Sequence, residues 1–246
     1  MGESKRRRQG GQGTARKQRR RRGGPWLIGG VLVAVLVAVA GLLYWLTTPS
    51  LSPLDDLPKA AEGTPPFPEA LDRYGVSLGD PSAPVVVREF ADYQCPGCAM
   101  FAQSVQRLGD EYIAAGKVRL VFFDLPLSQH RNAMPAAQAA RCAGDQDAYW
   151  RMHDLLFARQ PRWSEVQDPQ AVFAGYAQEL GLDRERFTQC MAAGRHRADI
   201  ERSRQAAQQL RVTGTPTVFV DNVRLTRPGW YQLAGVVERR LQQERN

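Results

Sequence analysis

The segment FADYQCPGCAMF, residues 90–101, places two cysteines between a predicted strand and a predicted helix. The β-branched run before it, residues 85–90, has the composition of a buried strand. Residues 99–115 then carry apolar side chains at helical spacing, and residues 117–123 form a second β-branched run. This order predicts a β–α–β unit whose helix begins at the cysteine pair.

The rest of the chain extends this pattern. Residues 128–211 have helical character with no strand signal, whereas residues 217–220 and 223–225 read as two short strands around a turn. A closing helix is predicted from about Trp230. The order β–α–β, helical block, β–β–α predicts an α/β protein with a thioredoxin fold that is split by an inserted helical domain.

The spacing of the two cysteines favours redox chemistry. Cys95 is predicted at the helix N-terminus, where free backbone N–H groups and the helix dipole stabilise a thiolate. Cys98 follows one turn later on the same face, within reach for a disulfide. A structural zinc site is the first alternative. Such a site needs four ligands, usually with a second close pair of cysteines or histidines, and the remaining cysteines and histidines of the chain are too scattered to form that pair. A purely structural bridge is the second alternative, but so short a loop constrains little of the unfolded chain.

The N-terminal part of the chain has two contrasting segments. Residues 25–46 contain no charge, and a helix of that length rises about 30 Å, which matches the hydrocarbon core of a bilayer. We therefore predict one transmembrane helix; the alternative, a cleaved signal peptide, normally has an apolar core of about 7–15 residues. Residues 1–24 form a basic tail, which predicts a cytoplasmic N-terminus rather than a nucleic-acid-binding arm.

Residues 47–72 are rich in proline and are predicted to form a semi-rigid spacer. The folded domain is then expected over residues 73–246. Beyond residue 22 the chain carries 23 basic and 24 acidic residues, so only the tail is basic and the rest of the chain is close to neutral. The predicted location is the cell membrane, with a single span and the domain on the extracytoplasmic side, where disulfides persist.

The segments EFADYQCPGC and TGTPTVFV resemble the DsbA-like thiol–disulfide oxidoreductases, in particular the membrane-anchored bacterial kind. The resemblance covers about residues 73–246. It implies that Cys95 and Cys98 are catalytic, and that Pro216 is a cis-proline beside the pair. Thr215 would then face the cysteines, in a loop that pairs with substrate backbone.

Further positions bear on this resemblance. Glu89 lies where such proteins often carry an acidic residue beneath the active site; it either points towards Cys98 as a proton relay or is a plain surface carboxylate. Gly97 departs from the best-studied type, which has histidine there, so we expect a Cys95 pKa below that of a free thiol but above about 3.5. Cys142 and Cys190 are predicted to form a structural disulfide, with buried free thiols as the alternative.

The predicted function is the introduction of disulfides into exported proteins, with no cofactor and no metal. Cysteine-containing exported proteins would be the substrates, and a quinone-linked membrane protein would recycle the pair. Two alternatives remain open at this stage. One is a disulfide reductase or isomerase of the same fold, and the other is a tethered chaperone-like binding module without turnover.

Overall fold

The computed structural model describes residues 26–47 and 57–245. These residues belong to two compact units, Met1–Leu51 and Ser52–Asn246, which are described separately. The described part of the first unit is a helix of 22 residues, α1, which covers Trp26–Thr47.

Helix α1 forms where the sequence predicts a transmembrane segment, residues 25–46. Side chains of α1 are described at residue 30 and at residues 34–44. Among the described residues, no helix is long and apolar enough to cross a membrane. The transmembrane segment is therefore not shown and stays a prediction from the sequence. The predicted basic tail, residues 1–24, lies outside the described residues, as do residues 48–56 of the predicted spacer.

The second unit combines short strands with helices of one to four turns. Its helices and strands are β1 (Val76–Leu78), β2 (Val85–Ala91), α2 (Pro96–Leu108), β3 (Val118–Asp124), α3 (Ala133–Gly144), α4 (Tyr149–Ala158), α5 (Gln170–Glu179), α6 (Arg184–Ala193), α7 (Arg197–Gln209), β4 (Thr217–Val220), β5 (Val223–Arg224) and α8 (Trp230–Gln243). Short 3-10 turns cover Glu69–Tyr74 and Gln160–Arg162, and a π-helical turn, Gly109–Ile113, follows α2.

The strands form one mixed sheet in the order β1-β3-β2-β4-β5. Strands β2 and β3 run parallel, because α2 crosses back between them, and the other neighbouring pairs are antiparallel. Strand β2 lies at the centre, so the register places Glu89 between Phe122 of β3 and Val218 of β4. Helices α3 to α7 are inserted between β3 and β4. The predicted thioredoxin-like α/β fold is thus confirmed.

The last part of the helical insertion consists of two helices, α6 and α7. Helix α6 ends at Gly194, whose backbone is left-handed with φ +58° and ψ +34°. Glycine adopts this conformation without the steric cost that a Cβ would bring, so the chain turns there and α7 begins at Arg197.

The domain begins earlier than the predicted boundary at residue 73. Leu57, Phe67 and Leu71, within the predicted spacer of residues 47–72, are buried in the second unit. Phe67 packs edge-on against Phe219 of β4 with ring centroids 5.7 Å apart. Prolines exclude a helix or a sheet interior, but they do not prevent the apolar side chains between them from covering a hydrophobic surface. The described part of the spacer, from residue 57, is therefore part of the domain.

Ion pairs of Asp72 hold the C-terminal end of this segment on the sheet. Asp72 accepts two hydrogen bonds from Arg88 of β2, at 2.6 and 2.9 Å, and one from Arg119 of β3 at 2.8 Å. Arg88 is 2% exposed, so Asp72 supplies the partner that a buried guanidinium requires. The guanidinium also lies 4.2 Å from the ring centroid of Phe67. These contacts hold the segment on the sheet.

Candidate active site

The cysteine pair lies at the carboxyl end of the central strand. Cys95 is the N-cap residue of α2, with φ −70° and ψ 122°, and Pro96 occupies the first turn. The turn before it is stabilised by Asp92, whose carboxylate accepts from the Gln94 N–H at 2.7 Å. Its carbonyl accepts from the Cys95 N–H at 3.0 Å. The local sequence therefore points the Cys95 side chain into the helix N-terminus, where N–H groups have no helical partner.

The environment of Cys95 favours the thiolate. The pKa of its half-buried thiol falls from the ordinary value of 9.0 to about 5, chiefly through a hydrogen bond from the Cys98 side chain. Partial burial opposes this shift, whereas Thr215 and the backbone N–H groups of Gly97 and Cys98 add to it. A pKa of about 5 lies between the limits expected from the sequence, without a histidine at position 97.

Cys98 has the opposite character. Its side chain is fully buried in the structure, and burial raises the pKa of its thiol far above the ordinary value. The hydrogen bond with Cys95 adds to the increase, and so does Glu89 when its carboxyl group is ionised. At neutral pH the pair therefore combines an accessible thiolate with a shielded thiol, the asymmetry that thiol–disulfide exchange requires.

Glu89 lies beneath the pair within strand β2. The side chain is 1% exposed, so the alternative of a surface carboxylate is wrong. Burial raises its pKa to about 8, and its Oε2 atom has no hydrogen-bond partner among the described residues. A carboxyl group with this pKa holds its proton at neutral pH and can release it when a base forms nearby.

The loop that precedes β4 completes the site. The peptide bond between Thr215 and Pro216 is cis. In the thiol form, Sγ of Cys95 donates to the carbonyl oxygen of Thr215 at 3.5 Å. A Cβ atom added at Gly97 would lie 3.2 Å from Cδ of Pro216, so the proline ring packs directly against the CPGC turn. The structure thus brings together the cysteine pair, Cys95 and Cys98, and the cis-proline pair, Thr215 and Pro216. Cys95 and Thr215 are 120 residues apart along the chain.

The other two cysteines lie in the helical insertion. Cys142 of α3 and Cys190 of α6 form a disulfide with a Cα–Cα distance of 5.8 Å, and both are buried. With His196 they make up a group of potential metal ligands whose donor atoms lie within 4.8 Å of one another. Because the two sulfurs are bonded to each other, neither is available as the thiolate that a metal would need.

The structure adds residues that the sequence did not indicate. The side-chain amide of Gln160 donates to the carbonyl oxygens of Tyr93 and Cys95, at 2.7 and 3.0 Å. The Nδ1 atom of His130 lies 2.8 Å from the Asp92 carboxylate. No local pattern marks Gln160, because it lies 65 residues beyond Cys95 in the helical insertion.

The Cys95 environment predicts the pH dependence of alkylation. In the reduced protein, reaction of Cys95 with iodoacetamide should be half-maximal near pH 5, because the thiolate is the nucleophile. Cys98 should stay unreactive over the same range. Since the folded pKa is below the unfolded value of 9.0, the contribution of Cys95 to the stability of the reduced protein should increase as the pH rises from about 5 to 9.

The urea-unfolded protein is the control for this titration, and its thiols should react with a midpoint near 9. A midpoint above about 7.5 for folded Cys95 would contradict the prediction, because such a value lies outside the range of activated cysteines.

Comparisons with known proteins agree with this site. The sequence profile of a family described as thioredoxin matches residues 72–239. The chain is 30% identical over 169 residues to "Probable disulfide bond formation protein D" of Bacillus cereus, an alignment that covers 67% of this chain and 78% of the relative. It is also 35% identical over 212 residues, 78% of this chain, to "Na(+)/H(+) antiporter NhaA 1" of Salinispora arenicola, but spans only 30% of that protein's length.

Among solved structures, oxidised BdbD from Bacillus subtilis has the same fold, with a TM-score of 0.63 and 23% sequence identity. The match covers 75% of this chain and 99% of the BdbD chain. The profile match, the Bacillus relative and the CPGC pair beside a cis-proline agree, and the chain belongs to the DsbA-like thiol–disulfide oxidoreductases.

Proposed function

We propose that this protein is an extracytoplasmic thiol–disulfide oxidoreductase that introduces disulfides into exported proteins. The observation that carries the proposal is the position of Cys95 at the N-terminus of α2 beside the buried Cys98, an environment that lowers the pKa of Cys95 to about 5. Stabilising the Cys95 thiolate stabilises the reduced enzyme, so the oxidised enzyme gives up its disulfide readily. A membrane tether formed by residues 25–46 belongs to the proposal on the strength of the uncharged sequence.

The reaction is two successive exchanges. A substrate thiolate attacks Sγ of Cys95 in the Cys95–Cys98 disulfide, which forms a mixed disulfide and displaces Cys98 as a thiolate. A second substrate thiolate then attacks the substrate sulfur of the mixed disulfide, and Cys95 leaves as a thiolate. The substrate gains a disulfide and the enzyme receives two electrons. A membrane redox protein, quinone-linked in this proposal, would accept these electrons and restore the enzyme disulfide.

Glu89 is proposed to supply the proton in the first exchange. The displaced Cys98 is a strong base in its buried position, and the Glu89 carboxyl group still holds a proton at pH 7 because its pKa is about 8. Proton transfer to Cys98 avoids leaving an uncompensated thiolate in the protein interior. When the enzyme is oxidised again, the same carboxylate takes the proton back.

A groove beside the cis-proline loop is proposed to hold the substrate. Its volume is about 300 Å³, and it lies between residues 125–129 and four residues later in the chain, Arg204, Gln208, Val212 and Thr213. Thr213 is two residues from Thr215, and the Leu127 N–H donates to Asp92 in the active-site turn at 2.8 Å. An extended segment of an unfolded chain in this groove would bring its cysteine next to Cys95.

The proposal is tested with the full-length protein purified in detergent. The oxidised protein should restore disulfides to reduced, unfolded ribonuclease A, and equilibration with glutathione should give a potential well above that of thioredoxin, about −270 mV. A potential near that value would assign the protein to the reductases instead. Binding of the unfolded chain without thiol-dependent turnover would assign it to the chaperone-like binding modules.

The role of Glu89 is tested by Glu89→Gln. Removing the acid should slow exchange with substrate by about 10²-fold at pH 7, the usual contribution of a positioned proton donor. The pH profile should also lose the group that titrates near 8. Glu62→Gln, which changes an exposed carboxylate, is the matched control. An unchanged rate and profile for Glu89→Gln would rule out the relay.

The same substitution has an effect on stability with a defined sign. Burial raises the folded pKa of Glu89 from 4.5 to about 8, so the folded protein binds more protons than the unfolded one in this window. The contribution of Glu89 to the free energy of unfolding of the wild type should therefore fall as the pH rises from 4.5 to 8. Glu89→Gln should remove this slope, which urea unfolding at several pH values measures.

A further inference from the structure

Three buried side-chain amides connect the active-site turn to the helical insertion. Gln160 donates from Nε2 to the carbonyl oxygens of Tyr93, at 2.7 Å, and of Cys95, at 3.0 Å. Gln94, the residue before Cys95, donates to the carbonyl of Ser164 at 2.7 Å and accepts from the Asn132 N–H at 2.7 Å. The Tyr93–Gln94 and Cys95–Pro96 peptide units and the Gln94 side chain are therefore held from the insertion side.

The insertion segment that carries Gln160 is itself firmly fixed. The two N–H donors of Asn132 Nδ2 are shared among the carbonyl oxygens of Trp163, Ser164 and Val166, at 3.0, 3.0 and 2.8 Å. The Trp163 ring is fully buried, and its Nε1–H donates to the Leu156 carbonyl at 2.9 Å. These buried hydrogen bonds hold the segment that carries Gln160 in one position, so that Gln160 can fix the position of the active-site turn.

The Cys95 carbonyl has a second task within the site. It accepts from the N–H groups of Cys98 and Ala99, both at 3.1 Å, at the start of α2. Its orientation sets the ψ angle of Cys95, and with it the position of Sγ relative to the N–H groups of Gly97 and Cys98. A hydrogen bond from Gln160 to this carbonyl therefore acts on the geometry that stabilises the sulfur anion.

We propose that Gln160 is a positioning residue for thiol–disulfide exchange, whose amide holds the Tyr93 and Cys95 carbonyls so that the Cys95 sulfur stays at the N-terminus of α2. The inference rests on the proposed function, since it assigns a further residue to the same site. Through Gln160, the inserted helical domain sets the reactivity of a cysteine that belongs to the thioredoxin part of the fold.

The test is Gln160→Met in the full-length protein, because methionine keeps the length and volume of the side chain but donates no hydrogen bond. The alkylation midpoint of Cys95 should rise by about one pH unit, which corresponds to about a tenfold smaller thiolate fraction below the midpoint. The equilibrium with glutathione should shift by about tenfold towards the oxidised protein, since the reduced form loses stabilisation.

Gln138→Met is the matched control. Gln138 is also a buried glutamine of the helical insertion, but its Oε1 atom has no hydrogen-bond partner among the described residues. This variant should keep both the midpoint and the potential of the wild type. A loss of packing alone would lower the melting temperature of either methionine variant without moving the Cys95 midpoint. If Gln160→Met does not fold, Gln160→Asn, which keeps an amide but shortens its reach, replaces it in the same titration.

The outcomes separate this inference from the proposed function. An unchanged midpoint and potential in folded Gln160→Met, in a protein whose wild type oxidises ribonuclease A, would overturn the positioning role alone. A shifted midpoint in a protein whose wild type shows no turnover would overturn the proposed function and leave the positioning role standing.

Discussion

Replacing Cys95 by serine is expected to reduce thiol–disulfide exchange below detection. Serine has no sulfur to form the mixed disulfide, and Cys98 cannot substitute for it because its thiol is fully buried and its pKa is raised. The effect should be complete rather than partial, since every step of the proposed reaction passes through Sγ of Cys95. Oxidation of reduced ribonuclease A measures it. Turnover close to that of the wild type would show that the exchange does not use Cys95.

Replacing Cys98 by serine should have a different effect from replacing Cys95. The Cys95 thiolate is still able to form a mixed disulfide with an oxidised partner, but no second enzyme thiol is present to resolve it. Covalent enzyme–substrate complexes should therefore accumulate and appear on a non-reducing gel. The contrast between the two variants assigns the attacking and the resolving sulfur. Labelling of Cys98 by substrate in the Cys95→Ser protein would contradict that assignment.

The central elements were predictable because their signals are local. Strands β2, β3 and β4 are apolar runs that are buried in the sheet, and each lies within one residue of the predicted bounds at both ends. The start of α2 at the cysteine pair follows from the residues themselves, since Pro96 suits the first turn of a helix. Strand β1 was missed, because its three residues at the sheet edge carry too short a pattern to stand out.

Other features depend on contacts between distant parts of the chain. The proline-rich segment from residue 57 to residue 72 reads as a spacer, yet its apolar side chains and Asp72 find partners in the sheet. Whether Glu89 faces inwards was left open by strand alternation, because β2 is buried over nearly its whole length. Gln160 shows the same limit most clearly: a glutamine in a helical block carries no signal until the fold places it beside Cys95.

Removing the Cys142–Cys190 disulfide is also expected to have a large effect, in this case on stability. The bond closes a loop across a sequence separation of 48 residues, and in the chain-entropy model it stabilises the protein by about 4 kcal/mol. The double variant Cys142→Ala, Cys190→Ala should lose about this free energy of unfolding in urea. Because the bond joins α3 and α6 rather than the active-site turn, exchange with substrate should continue. Two freely alkylated thiols at these positions in the native oxidised protein would contradict the bond.

Reduction of the wild type changes both disulfides at once, and their effects have opposite signs. Breaking the Cys142–Cys190 bond releases a long loop in the unfolded chain, which lowers stability. Breaking the Cys95–Cys98 bond frees a thiolate whose pKa is lowered to about 5, which favours the folded reduced form. The double alanine variant separates the two contributions, because only the active-site disulfide remains in it. A thiol reductant should therefore raise its melting temperature at pH 7, and a decrease would argue against the stabilised thiolate on which the oxidising direction depends.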